Sequence, residues 1–313
     1  MNIFLLIFMI ILSLIGIFFI ISVLYVLVKW LKYKKALQTP IYNKLQCGEF
    51  YCLAQIVDLP IPNQKDKTFN IKVARFLADL IVRISRAVNE PFTEPHTLKN
   101  ELLMYDSNKN PIFGVLWSND DIAYIAFRGT MKPQEWMQNF TYQQTSFPKS
   151  NKMKQQHALF LNNSKNSPNI HSGFLEVYNN FRNNLINKIK ELKPTQVLIA
   201  GHSLGGAIAT ICGLDLKILG YNTIVYNFAS PRVGDDKFCD LVNKYNLPLY
   251  RVVNTSDVAP TFPVAVSPNF DDPEKPFNYN HCGDAIYFTD NWKSIINNHT
   301  LGVYVNWLDK QQS

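Results

Sequence analysis

The amino-acid sequence predicts an α/β fold, a three-layer arrangement in which a mostly parallel central sheet lies between helices. Two observations support this prediction. Beyond about residue 70, short apolar segments of strand length alternate with longer segments of helical period, and such alternation is typical of βαβ units with parallel strands. In addition, a serine flanked by glycines joins one of the apolar strands directly to a helix.

An apolar run opens the chain and extends from Ile3 to Val28 without a charged residue. At about 1.5 Å of rise per residue, a helix of this length crosses a bilayer core of roughly 30 Å. A cleaved signal peptide would require a basic residue before the run, a shorter apolar region and a cleavage site of small residues, and none of these is evident. We therefore expect an uncleaved, single-pass membrane anchor with a basic flank over residues 1–35.

The charges on either side of this run predict its orientation. No charged side chain precedes it, whereas four lysines follow it, namely Lys29, Lys32, Lys34 and Lys35. The positive-inside rule then places the rest of the chain in the cytosol. The chain also has four glycosylation sequons, at Asn139, Asn162, Asn254 and Asn298. Two of them adjoin the residues assigned to catalysis below, where a glycan would obstruct the site, and this also favours a cytosolic domain.

The remaining elements follow a polar, proline-interrupted stretch at 36–68, which indicates a linker, and they lie within a domain at 69–313. The first is a helix over 71–88, where apolar residues recur at helical spacing and Asn70 stands at the N-cap. Next come strands at 112–117 and 122–127, a helix at 174–192, the strand that begins at 197 with the helix after it, a strand at 223–228, a short helix at 235–244, strands at 249–253 and 285–288, and a helix at 292–308.

The composition excludes two classes of site. The net charge of +7 does not indicate nucleic-acid binding, because four lysines flank the apolar run, others are scattered in polar loops, and no nucleic-acid-binding signature is present. The five cysteines lack metal-ligand spacing, so we expect no metal site. Their odd number, and the position of Cys212 within an apolar helix, predict mostly free thiols, which is compatible with a reducing compartment.

The glycine-flanked serine is the centre of the segment Gly201-His202-Ser203-Leu204-Gly205. This Gly-x-Ser-x-Gly pattern is the nucleophile elbow of α/β-hydrolases. The chain must turn sharply from strand to helix there, and side chains at Gly201 and Gly205 would collide with neighbouring backbone. Ser203 is therefore the predicted nucleophile, and the amino terminus of the helix behind it stabilises developing negative charge.

A serine nucleophile requires a carboxylate and a base, and in this fold the chain order is serine, acid, histidine. Asp257 is the favoured acid, because it lies in a loop after a strand that follows the elbow. Asp215 falls inside the helix after the elbow, about three turns from the serine, where it cannot orient a histidine. Asp284 and Asp290 flank a late strand and are less favoured.

Two histidines come late enough in the chain to act as the base, His281 and His299. His281 precedes a strand, whereas His299 begins a late turn, and periodicity alone does not decide between them. His202 adjoins the nucleophile, so its side chain must point away from that of Ser203 and is expected to pack in the interior.

Six short motifs occur in order along residues 110–305: Phe127-Arg128-Gly129-Thr130, His171-Ser172-Gly173-Phe174, Gly201-His202-Ser203-Leu204-Gly205-Gly206, Ser230-Pro231-Arg232-Val233-Gly234, Asn254-Thr255-Ser256-Asp257-Val258-Ala259-Pro260 and His299-Thr300-Leu301-Gly302-Val303-Tyr304. In this order and approximate spacing they resemble the class 3 (fungal-type) lipases. The resemblance implies an α/β-hydrolase fold with Ser203 as nucleophile, Asp257 as acid and His299 as base. His281 resembles a family position that is not the base.

The resemblance also implies an oxyanion hole and a lid. The oxyanion hole would consist of the hydroxyl and amide of Thr130 and the amide of Leu204. A lid helix would occupy residues 131–140, where Trp136 matches a typical tryptophan. The alternative is that Trp136, Met137 and Phe140 pack on the core.

These features together predict a membrane-anchored serine esterase of the triacylglycerol or diacylglycerol lipase type, which acts through an acyl-enzyme without a metal or organic cofactor. Its expected partners are a lipid ester and the membrane, and not nucleic acid. The alternatives are a phospholipase A or acyltransferase activity at the same site, or a catalytically silent membrane scaffold. The first 100 residues resemble nothing in the secreted members of the family. The sequence leaves the lipid class and the oligomeric state open.

Overall fold

A computed structural model describes residues 56–64, 66–105, 111–130, 142–147 and 167–312, together with Leu24 and Ala54. The chain divides into two units, Met1–Glu49 and Phe50–Ser313, and all the described residues except Leu24 lie in the second. Within the described residues, no helix is long and apolar enough to cross a membrane. The predicted anchor lies outside them apart from Leu24, and so does much of the predicted linker.

The second unit contains helices and strands in alternation. In chain order they are α1 (Ile71–Arg86), β1 (Lys99–Tyr105), β2 (Ile112–Asn119), β3 (Ile122–Phe127), β4 (Gln144–Ser146), β5 (Asn169–His171), α2 (Ser172–Leu192), β6 (Gln196–His202), α3 (Leu204–Ile218), β7 (Thr223–Phe228), α4 (Asp236–Lys244), β8 (Leu249–Asn254), a 3₁₀ turn (Ala259–Thr261), β9 (Val266–Ser267), β10 (Phe277–Asn278), β11 (Asp284–Phe288), α5 (Ile295–His299) and α6 (Leu301–Lys310).

The central sheet has seven strands in the order β1-β2-β3-β6-β7-β8-β11. From β3 to β11 each neighbouring pair is parallel, whereas β2 runs antiparallel to both β1 and β3. The prediction of a mostly parallel sheet is therefore confirmed. Because the parallel strands share one direction, their carboxyl ends meet along one edge, and loops at that edge can bring distant residues together.

Helices cover both faces of the sheet, as side-chain alternation requires. Ile125, Ile199 and Val225 belong to the same buried cluster as the apolar faces of α2 and α3. Tyr124 lies on the opposite face, where Phe76 of α1 packs against it with ring centroids 5.5 Å apart. These two helical layers around one sheet form the predicted three-layer arrangement.

The first and last helices follow local rules. The side chain of Asn70 accepts hydrogen bonds from the amides of Lys72 and Val73 and so caps α1, as predicted. The single helix predicted at 292–308 is instead two helices, α5 and α6. Thr300 separates them in an extended conformation, with φ −67° and ψ 141°, so that prediction is wrong at this residue.

The expectation of mostly free thiols is wrong for two cysteines. Cys239 of α4 and Cys282, two residues before β11, form a disulfide with a Cα–Cα distance of 4.9 Å across a separation of 43 residues. Neither residue carries a local signal of its partner, because the fold alone brings α4 beside the start of β11. Cys212 is free and buried in α3, as predicted.

Candidate active site

The nucleophile elbow lies between β6, which ends at His202, and α3, which begins at Leu204. Ser203 has φ 57° and ψ −124°, a backbone conformation that residues other than glycine rarely adopt. A Cβ atom at Gly201 would stand 2.0 Å from the carbonyl oxygen of Gly205, and one at Gly205 would stand 2.4 Å from the carbonyl oxygen of Arg128. The elbow therefore has room only for glycine at these two positions, as the sequence predicts.

The structure brings Ser203, His299 and Asp257 into one hydrogen-bonded chain. The distance from His299 Nε2 to Ser203 Oγ is 2.8 Å, and the distance from His299 Nδ1 to Asp257 Oδ2 is 2.9 Å. Asp257 follows β8 by three residues, and His299 ends α5. All three side chains are buried at the edge where the parallel strands end. The imidazole is thus placed to accept the serine proton while the carboxylate orients its ring.

The carboxylate of Asp257 has further hydrogen-bond donors. Its Oδ2 atom accepts from the hydroxyl of Tyr304 at 2.7 Å, and its Oδ1 atom accepts from the amide of Ala259 at 2.9 Å. Burial, with the charge of Asp257, raises the pKa of Tyr304 well above its usual value, so the phenol keeps its proton. The sequence alone predicts no role for Tyr304, although a tyrosine on the buried face of a helix needs a hydrogen-bond partner.

The two other candidate histidines have different surroundings. His202 Nε2 lies 2.8 Å from the carbonyl oxygen of His299, and burial together with the neighbouring His299 lowers the pKa of His202 well below its usual value. A neutral ring facing a carbonyl must donate from Nε2, so His202 supports the backbone of His299. His281 Nε2 lies 2.8 Å from the carbonyl oxygen of Pro260, and burial, with the charge of Arg251, lowers the pKa of His281 to about 3. His281 therefore lies outside the Ser203–His299–Asp257 chain.

Asp215 is far from this chain of hydrogen bonds, as predicted. It is fully buried, and its carboxylate accepts from Arg182 Nε at 2.6 Å and from the hydroxyl of Tyr178 at 2.8 Å. Both partners lie on α2, so the carboxylate of Asp215 joins α2 to α3.

The predicted oxyanion donors lie beside the serine. Thr130 follows β3 by three residues, and its Oγ1 atom is buried without a hydrogen-bond partner among the described residues. A Cβ atom at Gly129 would stand 3.2 Å from Ser203 Cβ, which places this loop against the nucleophile. The amide of Leu204 is the first of α3, where no intrahelical acceptor exists. Both groups are available to a developing oxyanion.

Arg128 stabilises the loop that carries Thr130, a role that the sequence did not reveal. Its Nε atom donates to the carbonyl of Ile112 at 2.7 Å, and its Nη1 atom donates to the carbonyl of Gly129 at 2.6 Å. The predicted lid at 131–140 lies outside the described residues. Within the ranges that the structure describes, no cluster of three or more His, Cys, Asp or Glu residues could hold a metal ion.

Comparison with known proteins gives three further findings. Residues 124–267 match the family described as Lipase (class 3). The lipase of Rhizomucor miehei is 30% identical over 198 residues, which cover 60% of this chain and 47% of that protein. Phospholipase A(1) DAD1, chloroplastic, of Arabidopsis thaliana is 33% identical over 158 residues, which cover 46% of this chain and 34% of that protein. The chain thus spans less than half the length of these curated relatives.

A solved structure shares the fold. A deletion mutant of the Rhizomucor miehei lipase propeptide complex aligns with a TM-score of 0.55 and 25% identity over 70% of this chain and 67% of that chain. The alignment extends over most of the domain described above and supports an α/β-hydrolase-like lipase fold.

Proposed function

We propose that this protein is a serine hydrolase that cleaves carboxylic esters of glycerolipids, and the match of residues 124–267 to the family described as Lipase (class 3) supports the proposal. The observation that carries the proposal is the hydrogen-bonded chain from Ser203 through His299 to Asp257. The unpartnered hydroxyl of Thr130 beside the nucleophile, among the residues that the structure describes, supports it.

Acylation of the serine is the first half of the proposed reaction. His299 Nε2 takes the proton from Ser203 Oγ as that oxygen attacks the ester carbonyl, and Asp257 stabilises the resulting imidazolium. The oxyanion of the tetrahedral intermediate accepts hydrogen bonds from Thr130 and from the amide of Leu204. Collapse of the intermediate breaks the ester bond, and His299 returns the proton to the leaving alcohol.

Deacylation uses the same groups. His299 removes a proton from a water molecule as the water oxygen attacks the acyl-enzyme carbonyl. When the second tetrahedral intermediate collapses, the bond to Ser203 Oγ breaks, His299 returns the proton to that oxygen, and the fatty acid is released. These reaction steps need no metal or organic cofactor. An alcohol in place of the water would make the same site an acyltransferase, which is the main alternative to hydrolysis.

Glycerolipids are the proposed substrate class, with triacylglycerol or diacylglycerol favoured. One curated relative is named a lipase and the other a phospholipase A(1), so a phospholipid is the second candidate substrate. An anchor at residues 1–35 would hold the site close to lipid, which is an expectation from the apolar run at Ile3 to Val28.

A panel of defined lipids tests this proposal. Purified protein and its Ser203→Ala variant are incubated with tri- and diacylglycerols, phosphatidylcholine and a short-chain p-nitrophenyl ester. We expect ester cleavage that falls by at least about 10³-fold in the variant, because the nucleophile is lost. Equal rates for the two proteins would overturn the enzyme proposal and favour a silent scaffold. Acylated acceptor in place of free fatty acid would identify an acyltransferase.

We also propose that the anchor holds the domain on the cytosolic side of its membrane. The four lysines after the apolar run support this orientation, whereas the disulfide between Cys239 and Cys282 is of a kind that persists in oxidising compartments. A protease-protection assay on microsomes decides the question. Cleavage of the domain without detergent is expected, and protection would place it in the lumen.

A further inference from the structure

Two buried asparagines flank the site and have no part in the reaction described above. Asn254 is the last residue of β8, three residues before Asp257, and its exposed fraction is 0%. Asn298 immediately precedes His299 in α5, and its exposed fraction is 6%. Buried side-chain amides are costly unless their donors and acceptors are paired, so their partners show what the two residues do.

The side-chain amide of each asparagine donates a hydrogen bond to a backbone carbonyl near the other asparagine. That carbonyl belongs to the residue before a catalytic one. Asn254 Nδ2 donates to the carbonyl oxygen of Asn298 at 3.2 Å. Asn298 Nδ2 donates to the carbonyl oxygen of Ser256 at 2.9 Å. Ser256 and Asn298 are the residues immediately before Asp257 and His299. The two side-chain amides therefore join the loop that carries Asp257 to the end of α5, which carries His299. Each joins at the residue next to the catalytic one.

Further hydrogen bonds of the same two side chains hold the segment before His299 in place. Asn254 Nδ2 donates to the carbonyl of Asp290 at 2.8 Å, and Asn254 Oδ1 accepts from the amide of the same residue at 3.0 Å. Asn298 Oδ1 accepts from the amide of Trp292 at 2.7 Å. Both residues thus use their donor and acceptor atoms at once. A carboxylate or an apolar group of similar size cannot do this, and a hydroxyl has only one oxygen where the amide has two separate polar atoms.

We propose that Asn254 and Asn298 are positioning residues that form a reciprocal amide clamp and fix the Asp257 carboxylate against the His299 ring. The inference rests on the proposed function, since it concerns the same site. Asp257 lies in the loop after β8 and His299 lies 42 residues later at the end of α5, so their contact depends on how that loop and that helix are joined. A displacement of about 1 Å between catalytic groups can cost about 10²-fold in rate.

The test compares Asn298→Ala and Asn298→Asp with the unchanged protein. Asn298→Ala removes the Asn298 half of the clamp without burying a charge, whereas Asn298→Asp keeps the size and replaces the Nδ2 donor by an oxygen that repels the Ser256 carbonyl. We expect kcat on a p-nitrophenyl ester to fall by about 10- to 10²-fold in both variants with KM unchanged. We also expect the downfield proton resonance of the His299 Nδ1–H group to be weakened or lost, because it reports the hydrogen bond to Asp257.

Asn243→Asp is the matched control, since Asn243 is exposed on α4 and should leave kcat and the resonance unchanged. Wild-type values of kcat and of the resonance in folded Asn298→Ala would overturn the clamp. A rise in KM at constant kcat would also overturn it. The resonance does not depend on turnover. An unchanged protein that shows it but cleaves no ester would contradict the proposed function and not the clamp.

Discussion

At the scale of single residues, removal of the buried hydroxyl of Thr130 is expected to affect stability and activity in different ways. It has no hydrogen-bond partner among the described residues, and an unpaired buried polar group costs about 1–3 kcal/mol. We therefore expect Thr130→Val to leave the free energy of unfolding unchanged or to raise it by about 1 kcal/mol. The same substitution should lower kcat by about 10²- to 10³-fold, because an oxyanion donor is lost. Urea unfolding and ester hydrolysis measure the two effects.

Thr210 provides the control for that substitution. Its hydroxyl donates to the carbonyl of Gly206 at 3.0 Å and accepts from Asn227 Nδ2 at 3.1 Å. Thr210→Val should therefore lower the free energy of unfolding by about 1–3 kcal/mol while kcat stays close to that of the unchanged protein. If Thr130→Val proved as destabilising as Thr210→Val, the Thr130 hydroxyl would have a structural partner and the oxyanion role would be contradicted.

The predictability of the site also differs from residue to residue. Ser203 and Asp257 could be chosen from local pattern, because the elbow and the loop after a strand are visible in the sequence. The residues alone left His281 and His299 open, and the fold supplies the physical difference, since the ring of His281 faces the Pro260 carbonyl. Tyr304 and Asn298 were missed because their partners lie 47 and 42 residues away along the chain, and no local pattern encodes such hydrogen bonds.

At the scale of elements, the junction of β6 and α3 depends on the absence of a side chain at Gly201. A Cβ atom there would stand 2.0 Å from the carbonyl oxygen and 2.2 Å from the carbonyl carbon of Gly205, and neither backbone atom can move without shifting α3 from the strand. We expect Gly201→Ala to lower the free energy of unfolding by about 3 kcal/mol and to abolish ester hydrolysis. Urea unfolding and the p-nitrophenyl ester assay measure both.

Gly220→Ala is the comparison for Gly201→Ala. Gly220 has φ +93°, but a Cβ atom added to it would meet no atom within 4 Å among the described residues, so only backbone strain opposes a side chain there. We expect a cost of about 1–2 kcal/mol with activity retained. Gly201, unlike Gly220, has no positive φ, so a loss at Gly201 no larger than the loss at Gly220 would contradict the close approach of α3 as the reason for glycine at position 201.

Elements with strong local signals were predicted well, and those decided by distant contacts were not. The strand Thr223–Phe228 has the predicted bounds, because it is a short apolar run that is buried throughout. The strand Lys99–Tyr105 was missed, since it is a half-buried edge strand that begins with polar residues. The break between α5 and α6 was also missed. Helical period continues on both sides of Thr300, and the contacts of Asn298 with Ser256 and Trp292 that hold α5 in place are invisible to periodicity.

At the scale of the whole molecule, the structure changes what the two sequons near the site imply. Asn254 and Asn298 are buried, and the Nδ2 atom of each, to which a glycan would be attached, donates to a backbone carbonyl. A glycan at either residue is thus incompatible with the folded domain in any compartment. The two sequons therefore favour a cytosolic domain only if the chain would otherwise be glycosylated at them before it folds, because a glycan attached at that stage would prevent folding.

The disulfide between Cys239 and Cys282 bears on the stability of the domain and on its cellular compartment. It closes a loop of 43 residues, for which chain entropy predicts a stabilisation of about 4 kcal/mol, and measured values are often smaller. We expect both thiols to resist alkylation in the purified protein until a reductant is added, and reduction to lower the free energy of unfolding by about 2–4 kcal/mol. The Cys239→Ser, Cys282→Ser double variant should match the reduced protein and be insensitive to reductant.

Ready alkylation of both thiols in protein isolated from its native membrane would mean that the bridge does not form there. A bridge that persists in that preparation would instead support a lumenal or extracellular domain and contradict the cytosolic orientation.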